Sequence, residues 1–147
     1  MKLEGEFTFN APREKVWSIL NDPAVLKKHM PGCESLEAVG DDQYEAVLKI
    51  GVGAIKGSYK AKLTLKDKNP PESYTLQIEG SGRPGFVKGA GRVHLKDLAG
   101  QTALSYSGEL QVGGLIARVG QRLLGTISEK MTRQFFQDLG AEAEAAQ

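Results

Sequence analysis

Apolar residues recur at every fourth position along the C-terminal part of the chain. The row consists of Leu115, Val119, Leu123, Ile127, Met131, Phe135 and Leu139. Beside it lie Ile116, Gly120, Leu124 and Phe136, and most charged residues of this segment fall elsewhere. Such spacing predicts one long amphipathic helix over 115–139, about 37 Å in length at ~1.5 Å per residue. A helix with this stripe requires an apolar partner of similar length.

The rest of the chain alternates between apolar and polar residues, which is typical of half-buried strands. The first strand is predicted at residues 2–9. Between Cys33 and Val112 the alternation recurs in about six strands, and its clearest apolar faces span 44–52, 55–65, 74–82, 87–95 and 104–112. Turn sequences rich in Asp, Asn, Pro and Gly separate them. Sequential strands with short turns predict an antiparallel meander with one apolar and one solvated face.

Two short helices are predicted between the first and second strands. Pro12 presets the backbone at the start of the first helix, whose apolar side contains Val16 and Trp17. Asn21-Asp22-Pro23 ends that helix and begins the second, at Ala24–Met30. The chain shows neither a linker nor a repeat. We therefore expect a single α+β domain over 1–147, in which about seven strands face the C-terminal helix.

Composition and charge restrict the functional classes. The 147 residues carry a formal net charge of +1, which gives no electrostatic argument for binding nucleic acid. A single cysteine, Cys33, excludes a disulfide or a four-thiolate site within one chain. No segment approaches the ~18 apolar residues of a membrane span, and no secretory leader is recognisable. We expect a cytoplasmic protein, with peripheral contact to the inner face of the membrane as an option.

A possible nucleotide-binding motif and two histidines lack the surrounding sequence that their functions require. Residues 80–85 fit the spacing G-x-G-x-x-G, but Pro84 and the alternation that follows predict a turn between strands rather than a phosphate-binding helix. His29 is expected to interact with the dipole of the second short helix, and His94 to face water. Two isolated histidines do not form a metal site. With no acid–base pair, metal motif or cofactor motif, a binding protein is favoured over an enzyme.

Several positions on the predicted apolar face carry little or no side chain. They are Gly5, Gly57, Ala61, Gly80, Gly82, Gly89, Gly91 and Gly108. Glycine inside a strand usually marks a bend, a bulge or a close approach. Two interpretations stay open: the glycines curve the sheet beneath the helix, or they also leave a void that holds an apolar ligand.

Three tyrosines, Tyr59, Tyr74 and Tyr106, are predicted on the apolar face. Each could pack in the core, and as a set they are candidates to contact the polar headgroup of a ligand. The other candidates for lining a cavity are Trp17, Met30, Ile55, Leu123, Ile127 and Met131. On the solvated face a basic row contains Lys56, Lys60, Lys62, Lys66 and Lys68. This row is interpreted as a solvated surface, with docking onto an anionic membrane or an acidic protein as the alternative.

Several segments carry a resemblance that covers nearly the whole chain. They are Asn10-Ala11-Pro12 with Val16-Trp17, Met30-Pro31-Gly32-Cys33-Glu34, residues 51–59 (GVGAIKGSY), Pro70-Pro71-Glu72-Ser73-Tyr74, residues 85–89 and residues 111–114. In this order and spacing they resemble the family of carbon monoxide dehydrogenase G subunits. That family lies in the START-related, birch-pollen-allergen-like (SRPBCC) helix-grip superfamily. The resemblance implies a curved antiparallel sheet wrapped around the C-terminal helix, with a hydrophobic cavity between them.

The resemblance also implies a function. Family members are associated with molybdenum-containing carbon monoxide dehydrogenases, as accessory proteins that recruit the enzyme to the membrane or handle a lipid or quinone-like molecule. Some relatives carry a longer apolar tail, whereas residues 142–147 are short and polar, so an inserted tail is not expected here. The alternatives are a docking adaptor without a ligand and a polyketide cyclase-like enzyme that uses the same cavity.

Overall fold

The computed structural model describes residues 1–51 and 53–145, without the side chain at position 54. The elements are β1 (Lys2–Phe9), α1 (Arg13–Leu20), α2 (Pro23–His29), β2 (Cys33–Gly40), β3 (Gln43–Ile50), a first 3-10 segment (Gly53–Ile55), β4 (Gly57–Asn69), β5 (Ser73–Gly82), β6 (Gly85–Asp97), β7 (Thr102–Gly113), a second 3-10 segment (Gly114–Val119) and α3 (Gln121–Ala145). The predicted order of elements is confirmed. Val52, Ala146 and Gln147, which the sequence placed in a strand and in the polar tail, lie outside the described residues.

Seven strands form one antiparallel sheet in the order β1-β7-β6-β5-β4-β3-β2. Strands β2 to β7 each pair with their neighbour in sequence, and β1 returns to pair with β7. In that last pair Gly5 stands opposite Tyr106, and Phe9 stands opposite Thr102. The sheet is curved and α3 accompanies it, so the predicted α+β helix-grip fold is confirmed.

The main apolar core lies at the end of the sheet where α1 and the C-terminal half of α3 meet it. Its largest fully buried apolar side chains are Phe9, Val16, Leu95, Leu104 and Leu139. Phe136 on α3 packs edge to face against Phe9, with 6.3 Å between ring centroids. A second, smaller cluster lies at the opposite ends of the strands and contains Tyr59, Ile116 and Leu124. The helix is therefore held to the sheet at two separate places.

The C-terminal helix differs from the prediction in its start and in its buried face. The second 3-10 segment ends at Val119, Gly120 follows with a φ of +93°, and α3 begins after this break. The buried side chains of α3 are Leu124, Phe136, Leu139 and Ala143. Leu115 and Leu123, both in the predicted row, are 56% and 51% exposed.

The geometry of an α-helix explains this difference. Successive residues turn about 100° around the axis, so positions four apart advance by about 40° at each step. A row at strict spacing of four therefore winds from one side of the helix to the other. Leu123 lies about 160° around the axis from the buried Leu139, whereas Leu124 lies only about 60° from it. The predicted apolar row was wrong at Leu115 and Leu123, which are exposed.

Candidate functional site

The helix α3 stands closer to one edge of the sheet than to its centre. Its backbone makes its closest approaches to β1, α1, α2 and the second 3-10 segment. The concave face beneath it carries Gly5, Ala61, Gly80, Gly91 and Gly108 among the larger side chains of the two clusters. The middle of α3 therefore faces a part of the sheet with few bulky side chains.

A groove of about 700 Å³ opens between α3 and β1. Leu3 and Tyr106 line it from the sheet, and Gly125, Glu129 and Thr132 line it from the helix. A Cβ atom added at Gly125 would meet no atom within 4 Å, because this position faces the open space. The volume lies within the range of about 300–1,000 Å³ that small-molecule sites occupy.

Tyr106 is the sequence-predicted candidate that the structure places in this groove. Its ring lies across Gly5, where a Cβ atom would come within 2.6 Å of the tyrosine hydroxyl oxygen. Burial raises the pKa of the Tyr106 hydroxyl, the carboxylate of Glu129 raises it further, and Arg133 acts in the opposite direction. The hydroxyl is therefore protonated at neutral pH, and it can donate a hydrogen bond to an oxygen atom of a ligand.

Four other candidates pack in the two apolar clusters instead of the groove. Trp17 and Tyr74 form an edge-to-face pair in the main core, with ring centroids 5.5 Å apart. Tyr74 is 5% exposed, and burial raises the pKa of its hydroxyl. In the smaller cluster the Tyr59 hydroxyl donates a hydrogen bond to the Ile55 carbonyl oxygen at 2.5 Å. Ile55 belongs to the first 3-10 segment and not to the strand that the sequence predicted.

The remaining candidates are spread over two helices. Leu123 points away from the core, while Ile127 and Met131 are half-buried on α3. Met30 follows the last residue of α2, where its N–H donates to the Leu26 carbonyl oxygen at 2.8 Å. The structure does not bring these side chains together with Tyr106 in the groove between α3 and β1.

The residues that α3 contributes to the groove could not be recognised from the amphipathic pattern. Gly125, Thr126, Glu129 and Thr132 occupy polar or small positions, which the amphipathic pattern assigned to solvent. One signal was available at Gly125, because glycine inside a helix costs about 1 kcal/mol relative to alanine. A glycine at such a position indicates either a close approach of another element or free volume that a side chain would fill.

The cysteine and the second histidine take structural or solvated positions. The Cys33 thiol is half-buried and donates to the Ser35 carbonyl oxygen at 3.3 Å. Burial raises the pKa of this thiol, so it is not activated as a nucleophile. His94 is exposed, as predicted. Within residues 1–51 and 53–145, no group of three or more His, Cys, Asp or Glu side chains could hold a metal ion.

The predicted basic row belongs to a surface of mixed charge. Lys62 stands in register with Glu45 on one neighbouring strand and with Glu79 on the other. At the far end of the row the Lys68 ammonium donates to Asp42 at 2.9 Å. Carboxylates next to Lys62 and Lys68 reduce the local potential there, which favours the interpretation of this part of the row as a solvated face over a docking surface.

His29 takes part in a cluster that ties α2 to the end of α3. Its Nε2 atom lies 3.0 Å from Glu142 Oε2, and the Lys28 ammonium donates to the same oxygen at 3.1 Å. The hydrogen bonds from His29 and Lys28 hold the pKa of the Glu142 carboxyl below its usual value of 4.5. His29 thus ends α2, as expected, and also contacts a second helix.

The Glu142 cluster predicts a dependence of stability on pH. Because the pKa of Glu142 is lower in the folded chain, its contribution is fully present above pH 4.5 and is lost as the pH falls through the folded pKa. Urea unfolding should show that the wild type loses slightly more stability than Glu142→Gln between about pH 5 and 3. The effect is small because the pair is near the surface. Glu144→Gln is the matched control, and identical profiles for wild type and Glu142→Gln would contradict the assignment.

Comparison with known proteins decides the family. The family described as the G subunit of carbon monoxide dehydrogenase (CoxG) matches residues 5–144. The chain belongs to this family. A search of curated proteins gives no match.

Solved structures share the fold of this chain. A conserved protein from Geobacillus kaustophilus is 37% identical, covers 99% of this chain and 97% of its own, and superimposes with a TM-score of 0.97. A START superfamily protein from Mycobacterium smegmatis is 14% identical over 99% of both chains, with a TM-score of 0.81. A protein from Thermus thermophilus is 16% identical over 99% of both chains, with a TM-score of 0.74. The last two show the START-like helix-grip fold and nothing further.

Membership of the CoxG family and the START-like fold support an accessory role that includes binding a hydrophobic ligand. The family description suggests a link to carbon monoxide dehydrogenase. Among the described residues, no helix has both the length and the apolar character required to cross a bilayer.

Proposed function

We propose that this protein binds a lipid or a quinone-like molecule in the groove between α3 and β1. The observation that carries the proposal is the groove of about 700 Å³ beside Gly125, with the Tyr106 hydroxyl inside it. Concave sites that combine apolar walls with a few polar groups are typical of small-molecule binding. The proposed ligand has an apolar tail and a headgroup that accepts hydrogen bonds.

The groove offers different chemistry along its length. Tyr106, Glu129 and Thr132 supply polar groups at one part, where the protonated tyrosine hydroxyl donates to a quinone carbonyl or a lipid ester oxygen. Leu3 and Met1 supply apolar surface in a lining that also contains Lys2, Glu4, Gln121 and Arg122, and Met1 packs against the smaller apolar cluster. An apolar tail extended along Leu3 and Met1 would bury its surface there. This arrangement favours an amphipathic ligand over a purely aliphatic one.

The family supplies the proposed partner. Its members are described by their relation to carbon monoxide dehydrogenase, so we place this chain as an accessory to a molybdenum-containing oxidoreductase of that type. A bound quinone would accept electrons from such an enzyme or carry them onward. Since quinones and lipids reside in the bilayer, the proposal includes peripheral contact with the inner face of the membrane.

Filling the groove at Gly125 is expected to remove the ligand without unfolding the protein. Mass spectrometry of an organic extract, checked by native mass spectrometry, should find a quinone or lipid bound to the wild type. For Gly125→Leu we expect the amount of bound ligand to fall at least tenfold, because the leucine side chain enters the open space of the groove. The fold should gain stability, since replacing an interior helical glycine contributes up to about 1 kcal/mol. If no ligand copurifies, titration with a short-chain quinone replaces the extract.

Two variants sharpen this test. Gly125→Ala makes a similar gain in helix propensity but fills little volume, so it should retain most of the ligand. Tyr106→Phe preserves the ring over Gly5 and removes the hydroxyl, and we expect binding to weaken about fivefold, the value of one neutral hydrogen bond of ~1 kcal/mol. Undiminished ligand in a folded Gly125→Leu variant would place the binding site elsewhere.

A further inference from the structure

Three segments at one end of the molecule carry cationic side chains and no acidic ones. The residues in 49–60, 80–88 and 110–128 include no Asp or Glu, although the whole chain is nearly neutral at +1. These three segments contact one another, because the Ile116 N–H donates to the Pro84 carbonyl oxygen at 2.8 Å and Gly57 approaches the Pro84 ring. The cationic excess is therefore concentrated in space as well as in sequence.

The segments contain seven Lys and Arg residues, and all seven are exposed. Four of them lie outside the strands: Lys56, Arg83, Arg118 and Arg122. No ion pair is found for any of the four among the residues that the structure describes. Glu4 and Glu129 line the groove with Arg122, and each is paired with another cation, Glu4 with Lys2 at 4.0 Å and Glu129 with Arg133 at 2.7 Å. The four side chains are thus available to an anionic surface.

Exposed apolar side chains occur at the same end. Within the part of the chain that the structure describes, five large hydrophobic residues are exposed, and three of them lie in these segments: Phe86 at 48%, Leu115 at 56% and Leu123 at 51%. The break at Gly120 and the phase of α3 turn the two leucines outward. We define the cationic tip as Lys56, Arg83, Phe86, Leu115, Arg118, Arg122 and Leu123.

We infer that the cationic tip docks the protein on an anionic lipid bilayer. Leu115 and Leu123 enter the boundary between headgroups and acyl chains, while Arg118 and Arg122 bind lipid phosphates. A protein interface is built around a contiguous apolar core that is depleted of charge. On the tip, each exposed leucine instead lies within a few residues of an arginine, which is the composition of surfaces that lie in a membrane interface.

The cationic tip lies next to the groove between α3 and β1, so docking and ligand binding are connected. Arg122 lines the groove between α3 and β1, and Leu123 follows it on the first turns of α3. Docking through these residues brings the open side of the groove to the bilayer surface. To this extent the inference rests on the proposed function, since it provides a route for an apolar ligand between membrane and groove.

Sedimentation with lipid vesicles tests the inference directly. We expect the wild type to bind vesicles that contain about 30% phosphatidylserine, to bind pure phosphatidylcholine far more weakly, and to be released by about 0.5 M salt. Each Lys or Arg near an anionic surface contributes about fivefold to binding. Arg118→Gln combined with Arg122→Gln should therefore weaken binding about 25-fold. Leu115→Ser combined with Leu123→Ser should weaken it at low salt without altering the charge.

Matched controls carry the same substitutions away from the tip. Lys96→Gln combined with Lys130→Gln changes the net charge equally, and Leu98→Ser removes another exposed leucine. Both should bind as the wild type does, and circular dichroism should show every variant folded. Equal losses in the control and tip variants would overturn the inference, because binding would then follow total charge.

The two proposals fail in different ways. Wild-type protein that retains its ligand but binds no anionic vesicle overturns the docking inference and leaves the groove intact. Capture of an acidic protein through the arginines, with no vesicle binding, overturns it in favour of a protein interface. Vesicle binding by a protein that neither carries nor takes up a ligand supports docking and contradicts the proposed function.

Discussion

Replacement of Leu124 with alanine is expected to reduce the free energy of unfolding by about 2–4 kcal/mol, whereas the same replacement of the adjacent Leu123 should cost less than about 0.5 kcal/mol. Leu124 is 8% exposed and packs with Tyr59 and Ile116. Its truncation removes buried methyl groups and leaves a cavity that the sheet cannot fully close. Leu123 is 51% exposed, so its truncation removes little buried surface.

Urea denaturation of both variants measures the difference directly. Alanine is at least as good a helix former as leucine, so helix propensity does not account for a loss in either variant. Because the two leucines are consecutive, the comparison reports the rotational phase of α3 about its axis. Equal losses of stability in the two variants, or a larger loss for Leu123→Ala, would support the predicted row of residues at every fourth position and contradict the observed packing.

The strands could be predicted from sequence more securely than the helix, for a geometric reason. Alternation along a strand returns to the same face at every second residue and accumulates no rotation over its short length. The face that contains Leu3, Phe7 and Phe9 is therefore readable from the sequence alone. A helical row accumulates about 40° of error for each four residues, so the side of Leu123 depends on where the phase is anchored. Phe136 and Leu139 anchor it here through the main core.

The groove could not be predicted from the same pattern. The candidate residues were selected as apolar or aromatic residues expected to face inward, and such side chains tend to pack against one another. Trp17 meets Tyr74 in the main core, and Tyr59 bonds to Ile55 in the smaller cluster. The groove instead forms where a polar face of α3 lies beside β1, and this proximity arises from a strand pair between distant parts of the chain. Of the residues that the sequence predicted to contact a ligand, Tyr106 alone is among those that line the groove.

The glycines of the apolar face show how one sequence signal can have two physical causes. At Gly82, Gly89 and Gly108 an added Cβ atom would collide with a backbone oxygen of the neighbouring strand. These positions let the strands approach closely and the sheet bend. At Gly80 the nearest atoms stand 3.8 and 3.9 Å away, so there is room for a methyl group. Periodicity places all four residues on one face and does not distinguish between these causes.

Enlarging Gly108 to leucine is therefore expected to destabilise the fold by about 3 kcal/mol or to prevent folding, at the upper end of the range for overpacked sites. A Cβ atom there would lie 2.5 Å from the Ala90 carbonyl oxygen and 2.7 Å from the Gly91 Cα atom. Both are backbone atoms of β6, which cannot move without breaking its pairing with β5 or β7. Soluble yield and urea denaturation measure the effect. Gly80→Ala is the control and should change stability by less than about 1 kcal/mol.

Because Gly108→Leu is expected to damage the fold, it cannot be used to locate the ligand. Loss of ligand in Gly108→Leu would accompany damage to the sheet, so it would not identify a cavity next to that residue. Gly125 lies on the helix and faces open space, so Gly125→Leu separates binding from folding. A Gly108→Leu variant as stable as the wild type would contradict the close approach of β6 and β7. It would then place free volume beneath the centre of α3, and the ligand site would extend from the β1 edge into the middle of the sheet.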